Sequence, residues 1–305
     1  MAVKIDFLRN LEVEYGVCEQ VGSRIRRVVA KNPSPFTFQG TGTYILGHID
    51  VAVIDPGPAD AAHINAILKA TAGETISHIF ITHTHLDHSP GCKLLKRRCD
   101  AKSYAFGPHG SGQKISEAGT EGSVEEGADN EFTPDIFVKH GDVIETDTWS
   151  VECVYTPGHT SNHMCYQLRE EKALFTGDHV MGWSTSIISP PDGDMHAYMN
   201  SLQLLLERDD EIYWPTHGSA ITDTKKYVAS FIAHRLERQE QIIGCINKGI
   251  HNIHDMVPLM YVGTPEFMYS AAARSVLAAV MHMIETGVLH TPDKVSLTAS
   301  YFTKN

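Results

Sequence analysis

One stretch constrains this chain more than any other. Residues 79–91 read IFITHTHLDHSPG, with His83, His85, Asp87 and His88 inside six consecutive positions. The run Ile79, Phe80, Ile81 before them is short, apolar and strand-like, so the polar cluster falls where a strand ends. Such a cluster is either a histidine-rich surface loop or one half of a metal site. Histidines at i and i+2 of an extended segment point the same way and can hold one ion. Asp87 and His88 then open the following turn and can face a second ion beside the first.

Three later motifs repeat the arrangement. YTPGHTSNH places His159 after a strand and a Pro-Gly turn, LFTGDHV places Asp178 after a strand and a glycine, and WPTHGSA places His217 after a strand. Strand ends are where open α/β architectures gather functional side chains. Five histidines and two aspartates on such ends can supply two sites for borderline-soft metals.

Composition narrows the alternatives. The chain has 305 residues, enough for a large core, and a net charge of −12 argues against a surface built for nucleic acid. The six cysteines form no CxxC pair, so they read as reduced thiols of a cytoplasmic protein and not as a zinc ribbon or a disulfide framework. The N-terminus carries no signal-like apolar run, and no stretch reads as a membrane span, so no membrane partner is expected.

The order of elements begins β-β-α-β-α. FTFQGTGTYILG and VAVIDPG read as strands, PADAAHINAILKATAG as a helix capped by Asp60, SHIFIT as a strand, and SPGCKLLKRRCD as an amphipathic helix. Residues 107–131 are rich in Gly, Ser and Glu and read as a long loop, a solvated insertion or an active-site lid. IFVKHGDVIE, WSVECVYTPG, HMCYQLREE and KALFTGD follow as strands, AYMNSLQLLLER as a helix, and EIYWPTHG as a last strand. Two groups of strands with helices interposed predict two sheets with helices outside. From about residue 223 the pattern is helical, with Leu277, Val280, Met281 and Ile284 expected as the buried stripe of the last long helix. The expected division is a catalytic domain over 1–222 and a helical module over 223–305.

His83-Thr84-His85-Leu86-Asp87-His88 resembles the HxHxDH signature of the metallo-β-lactamase superfamily, and His159, Asp178 and His217 follow in that family's order and glycine-flanked contexts. The resemblance covers roughly residues 20–222. It implies a four-layer αββα sandwich and two divalent ions, zinc by default with iron or manganese as alternatives. His83, His85 and His159 would bind the first ion, Asp87, His88 and His217 the second, and Asp178 both. The aspartate at 178 resembles the glyoxalase II and RNase Z branches more than true β-lactamases. Asp55 of VAVIDPG matches a family carboxylate that orients a ligand from behind; its plain alternative is a strand-ending Asp before proline. The helices after 223 resemble the winged-helix-like module of lactamase-β-like hydrolases.

His163 could contact substrate or act as a hydrogen-bonded support. Trp183 and Tyr198 fit a pocket lining or the core equally. The basic runs RIRRVVAK and KLLKRRCDAK could face phosphates but read first as solvated faces. The resemblance implies hydrolysis by hydroxide held between two ions, oriented by Asp87. The expected substrate is a small-molecule ester, thioester or lactone. An endoribonuclease acting on RNA, and a redox or binding member, are the alternatives. A homodimer through the C-terminal module is a further expectation.

Overall fold

The computed structural model describes residues 4–113 and 127–304. Most of the 107–131 loop, and with it the expected lid, lies outside the described residues.

The first sheet has seven strands in sequence order: β1 (Cys18–Gln20), β2 (Ile25–Val29), β3 (Gly42–Leu46), β4 (Asp50–Ile54), β5 (Thr75–Phe80), β6 (Lys102–Ala105) and β7 (Ile136–Phe137). Pairing is antiparallel through β4 and parallel from β4 onward. The parallel part requires crossovers, which α1 (Ala61–Ala70) and α2 (Gly91–Leu95) supply on the outer face. Asp60 caps α1 as the sequence predicts, accepting from Ala62 N–H at 2.8 Å.

The second sheet runs β12-β11-β10-β9-β8, from β8 (Val143–Glu145), β9 (Ser150–Tyr155), β10 (Met164–Leu168), β11 (Ala173–Gly177) and β12 (Ile212–Pro215). Only β11 and β12 are parallel, joined through α3 (Met195–Glu207).

Side-chain alternation builds the layers. On β3 and β4, Tyr44, Leu46, Ala52 and Ile54 enter the core between the sheets, while Ile45, Val51 and Val53 face α1 and α2. On the second sheet Met164, Tyr166 and Phe175 point inward, while Val154, Cys165, Leu174 and Tyr213 point outward. Those outward residues belong to the largest apolar cluster. It runs through α3 into α4 (Thr224–Ile246), α5 (Ile253–Met260) and α6 (Tyr269–Glu285). The four-layer αββα order is therefore observed, with the C-terminal helices covering the outer face of the second sheet. The boundary expected at 223 falls at the start of α4, and the apolar core continues across it.

Several elements differ from the sequence reading. IFVKHGDVIE is not one strand: β7 joins the first sheet and β8 the second, with the Asp142 carboxylate turning the chain by accepting from Lys139 N–H at 2.7 Å. Of the expected helix SPGCKLLKRRCD only Gly91–Leu95 is helical. The RIRRVVAK run is not a solvated face. It forms β2, where Arg27 is buried against Glu19 at 2.6 Å and Arg26 pairs with Glu74 at 2.8 Å. A two-stranded sheet of β13 (Leu289–His290) and β14 (Phe302–Thr303) closes the C-terminal region, which has no strong strand signal in sequence. The buried stripe of α6 is turned from the expected one: Val276, Ala279, Val280 and Met283 are buried, while Leu277, Met281 and Ile284 are half-buried. Small alanines let this face sit close to its neighbours. The segment Glu266–Glu285 is long and apolar enough by composition to cross a membrane, with mean hydropathy 1.3. This differs from the expectation that no stretch has that composition; the helix packs into the largest apolar cluster.

Phe231 of α4 is fully buried in the shared core. Phe231→Ala should lower the unfolding free energy by about 3–5 kcal/mol, read by denaturant titration. A loss under about 1 kcal/mol would show that α4 does not share the sheet's core.

Candidate metal centre

Five strand ends meet at one edge of the sandwich. Parallel pairing sets Ile54 beside Phe80, so Asp55 and the 81–88 segment leave the first sheet side by side. Gly177 pairs with Pro215, so Asp178 and His217 leave the second sheet as neighbours. His159 follows β9 across the edge. The glycines before two of these groups are required by space. A Cβ on Gly158, at φ 144°, would lie 2.3 Å from Tyr198 Cα, and one on Gly177, at φ 51°, would lie 2.6 Å from His163 Nε2.

The seven donors named from the motifs converge. His85 Nδ1 lies 3.0 Å from His83 Nε2 and 3.2 Å from His159 Nε2. Asp87 Oδ2 lies 3.1 Å from His217 Nε2 and 3.4 Å from His88 Nε2. Asp178 spans both groups: Oδ1 is 3.6 Å from His88 Nε2 and 3.4 Å from His217 Nε2, and Oδ2 is 3.8 Å from His159 Nε2. Donor atoms of His83/His85/His159, of His83/His88/Asp178 and of Asp87/His88/His217 each lie within 4.8 Å of one another.

Residues behind the cluster aim the rings. Asp55 is buried at φ 47° and accepts three bonds that matter here: from Thr82 N–H at 2.8 Å, from Thr82 O–H at 2.6 Å and, on Oδ2, from His88 Nδ1 at 2.9 Å. That last bond leaves His88 Nε2 for the centre. The Ile187 carbonyl accepts from His159 Nδ1 at 2.7 Å, and the Gly40 carbonyl from His217 Nδ1 at 3.1 Å. Thr41 O–H donates to Asp87 Oδ2 at 3.2 Å. Holding the far nitrogen of each imidazole fixes its orientation toward an ion.

His163 does not stand open to a substrate. It is fully buried, bonds Thr156 Oγ1 through Nδ1 at 2.9 Å, and accepts the backbone N–H of Asp178 on Nε2 at 3.3 Å. Both ring nitrogens are thus engaged within the protein. Tyr198 is core, and its hydroxyl donates to the His179 carbonyl at 2.9 Å. The sequence reading missed Gly40, Thr41, Thr82, Ile187 and Thr216. The threonines had a signal, since Thr82 and Thr216 each precede a histidine of the cluster; the two carbonyls had none.

Charge shows what the cluster lacks. Burial keeps His83, His85 and His159 below the usual histidine range, with neighbouring histidines adding to the effect at His83 and His85. Burial also opposes charging His88 and His217, but Asp87 and Asp178 outweigh it. They hold His88 well above its ordinary value and His217 up to about 10. Burial penalises the Asp87 and Asp178 carboxylates in turn, and these two histidines keep both ionised. His88 Nε2 and Asp178 Oδ1 are buried and make no hydrogen bond. Protons on two imidazoles thus stand where cations would. Neighbouring donors sit close to the roughly 3.3 Å edge expected of a tetrahedron of ligands about 2.0–2.1 Å from an ion. The donor set fits divalent metal ions.

A two-sheet sandwich with such a cluster at its edge is the framework of a metal-dependent hydrolase. A family model of the Metallo-beta-lactamase superfamily matches residues 37–217, and the chain belongs to that superfamily. The Beta-lactamase-like protein 2 homolog of Caenorhabditis elegans is 29% identical over 279 residues, 90% of this chain and 88% of that protein. An atrochrysone carboxyl ACP thioesterase of Paecilomyces divaricatus is 30% identical over 233 residues, 75% of this chain and 67% of its own. The crystal structure of a beta-lactamase domain protein from Burkholderia ambifaria aligns at TM-score 0.78 with 17% identity, covering 97% of this chain and 96% of that one. The chain is a metal-dependent hydrolase.

Two outcomes follow from the geometry. Asp55→Asn should weaken metal affinity about 10–100-fold, measured by competition with a chromophoric chelator, because His88 loses its orienting acceptor; unchanged affinity would remove Asp55 from the site. Since His88 and His217 carry protons in the metal-free protein, a metal must displace them. Affinity should therefore rise with pH up to about 10, where His217 gives up its proton, with proton release visible in calorimetry in buffers of different ionisation enthalpy. Affinity flat with pH would contradict the charge assignment.

Proposed function

We propose that the chain hydrolyses an activated acyl bond of a small molecule, a thioester first among the ester, thioester and lactone class, at a binuclear metal centre. The observation that carries the binuclear reading is Asp178, a single carboxylate facing His159 with one oxygen and His88 and His217 with the other. His83, His85 and His159 would hold one ion, Asp87, His88 and His217 the second, and Asp178 both. Imidazole and carboxylate donors make zinc the default and allow iron or manganese. When bound, such ions lower the pKa of water to near 7 and act as Lewis acids toward an acyl oxygen.

The chain's own residues do the rest. Asp87, ionised and held by the Thr41 hydroxyl, can accept a hydrogen bond from a nucleophilic water and keep it aimed. Ile187 and Gly40 fix His159 and His217, so the centre is preorganised. The nearby thiols do not compete as nucleophiles: burial pushes Cys92 and Cys165 up to about 12, leaving little thiolate at neutral pH. A relative named as an acyl-carrier thioesterase supports the thioester choice. The RNA alternative loses the support of its first basic run, because Arg26 and Arg27 are engaged by Glu74 and Glu19.

A panel of thioesters, lactones, a model phosphodiester and single-stranded RNA, each with and without chelator, tests the reading. Thioester turnover should dominate, vanish with chelator and return with added metal. Asp178→Ala should lose at least about 100-fold in kcat/KM together with bound metal. Faster cleavage of RNA, or an Asp178→Ala protein that keeps both ions and its turnover, would overturn it.

A further inference from the structure

A second constellation lies beside the metal cluster. A cavity of about 200 Å³ opens between the 181–187 loop, helices α4 and α6 and the segment after α5, lined in part by Phe36, Trp183, Arg235, Arg238 and Tyr261. Arg235 and Arg238 are one turn apart on α4. The contacts that hold the two guanidiniums are with backbone carbonyls, an amide oxygen and aromatic rings. Arg235 is 5% exposed, lies 5.1 Å over the Tyr198 ring and donates from Nη2 to the Ser186 carbonyl. Arg238 lies 4.3 Å over the Tyr261 ring and donates from Nη1 to Gln241 Oε1 at 2.7 Å and to the Met260 carbonyl. The Nε of each is buried and makes no hydrogen bond. Arg27 and Arg208, by contrast, are paired with acids, at Arg27–Glu19 and Arg208–Asp210. A buried and a half-buried cation held by neutral groups gain from a counter-charge that a ligand supplies.

The cavity's walls also hold the metal cluster. Ile187, on one wall, is the residue whose carbonyl accepts from His159. Trp183, on another, stacks on Phe38 with ring centroids 5.1 Å apart, two residues before the Gly40 carbonyl that accepts from His217. A group bound here would therefore lie next to the centre, and the volume suits a headgroup rather than a whole substrate.

We propose that this cavity is an anion subsite, in which Arg235 and Arg238 bind a carboxylate or phosphate carried by the ester or thioester, with Trp183 and Tyr261 contacting the apolar body that bears it. The substrate role rests on the hydrolase reading; the anion site itself does not. Guanidinium forks match either oxyanion bidentately.

Calorimetric titration of the full-length protein with phenyl phosphate, benzoate and neutral benzamide tests this without turnover. At least one anion should bind the native protein. Its affinity should fall about tenfold or more in Arg238→Gln and largely return in Arg238→Lys, while benzamide stays unchanged across the three proteins. Preference for phenyl phosphate or for benzoate assigns the headgroup. Should Arg238→Gln fail to fold, a salt-sensitive affinity for the anion that persists unchanged in chelator-treated native and Arg238→Lys proteins, absent for benzamide, keeps the anion off the metal ions and supports the subsite, and its loss with chelator overturns it. Equal anion affinity in native and Arg238→Gln protein places the anion elsewhere, such as at the metal cluster, and overturns the subsite. So does binding of neither anion. An enzyme inactive on every ester would defeat the hydrolytic reading while leaving this titration to stand or fall alone.

Discussion

Asp87 and Asp178 are two carboxylates set into a cluster of buried histidines, and the rest of the site follows from neutralising them. Each is held in its ionised form by His88 and His217, which take up protons against the cost of their own burial. Removing ions from water costs several kcal/mol apiece unless opposite charge stands close by. A chain that places both aspartates here has made a site whose resting charge invites cations. Asp55 extends the same logic one layer deeper, holding His88 from behind while Thr82 satisfies its remaining valence.

The fold makes this concentration of charge tolerable by building it last. The two sheets share an apolar core of alternate side chains, and every charged donor sits past the strand ends where that core stops. Parallel pairing of β4 with β5 and of β11 with β12 delivers Asp55 beside the 81–88 segment and Asp178 beside His217. The C-terminal helices then cover the second sheet, and their Arg235 reaches back to Ser186. The Ser186 hydroxyl in turn donates to the carbonyls of Asp178 and His179. The helices thus both complete the core and touch the backbone that carries the site.

Sequence disclosed the parts of this that are local. The HTHLDH run, the Gly-Asp and Thr-His pairs at strand ends, and the two-residue alternation of β3, β4 and β10 are all short-range patterns. What stayed hidden is long-range. Arg26 and Arg27 read as surface charge because Glu74 and Glu19 reach them only after folding. The carbonyls of Gly40 and Ile187 support two histidines of the cluster with backbone atoms that any residue possesses. The split of 136–145 between two sheets, and the rotation of the α6 face toward its alanines, depend on which neighbour each segment meets. His163 was legible as a histidine near the site, but its side of the cluster was not.

The account stands most directly on what occupies the cluster. Diffraction from crystals of the protein purified without added metal, recorded on both sides of the absorption edge of each metal found by elemental analysis, would locate the ions. Two anomalous peaks are expected, one among His83, His85 and His159 and one among Asp87, His88 and His217, with Asp178 touching both. No peak in metal-replete crystals, or a peak coordinated by other residues, would contradict it.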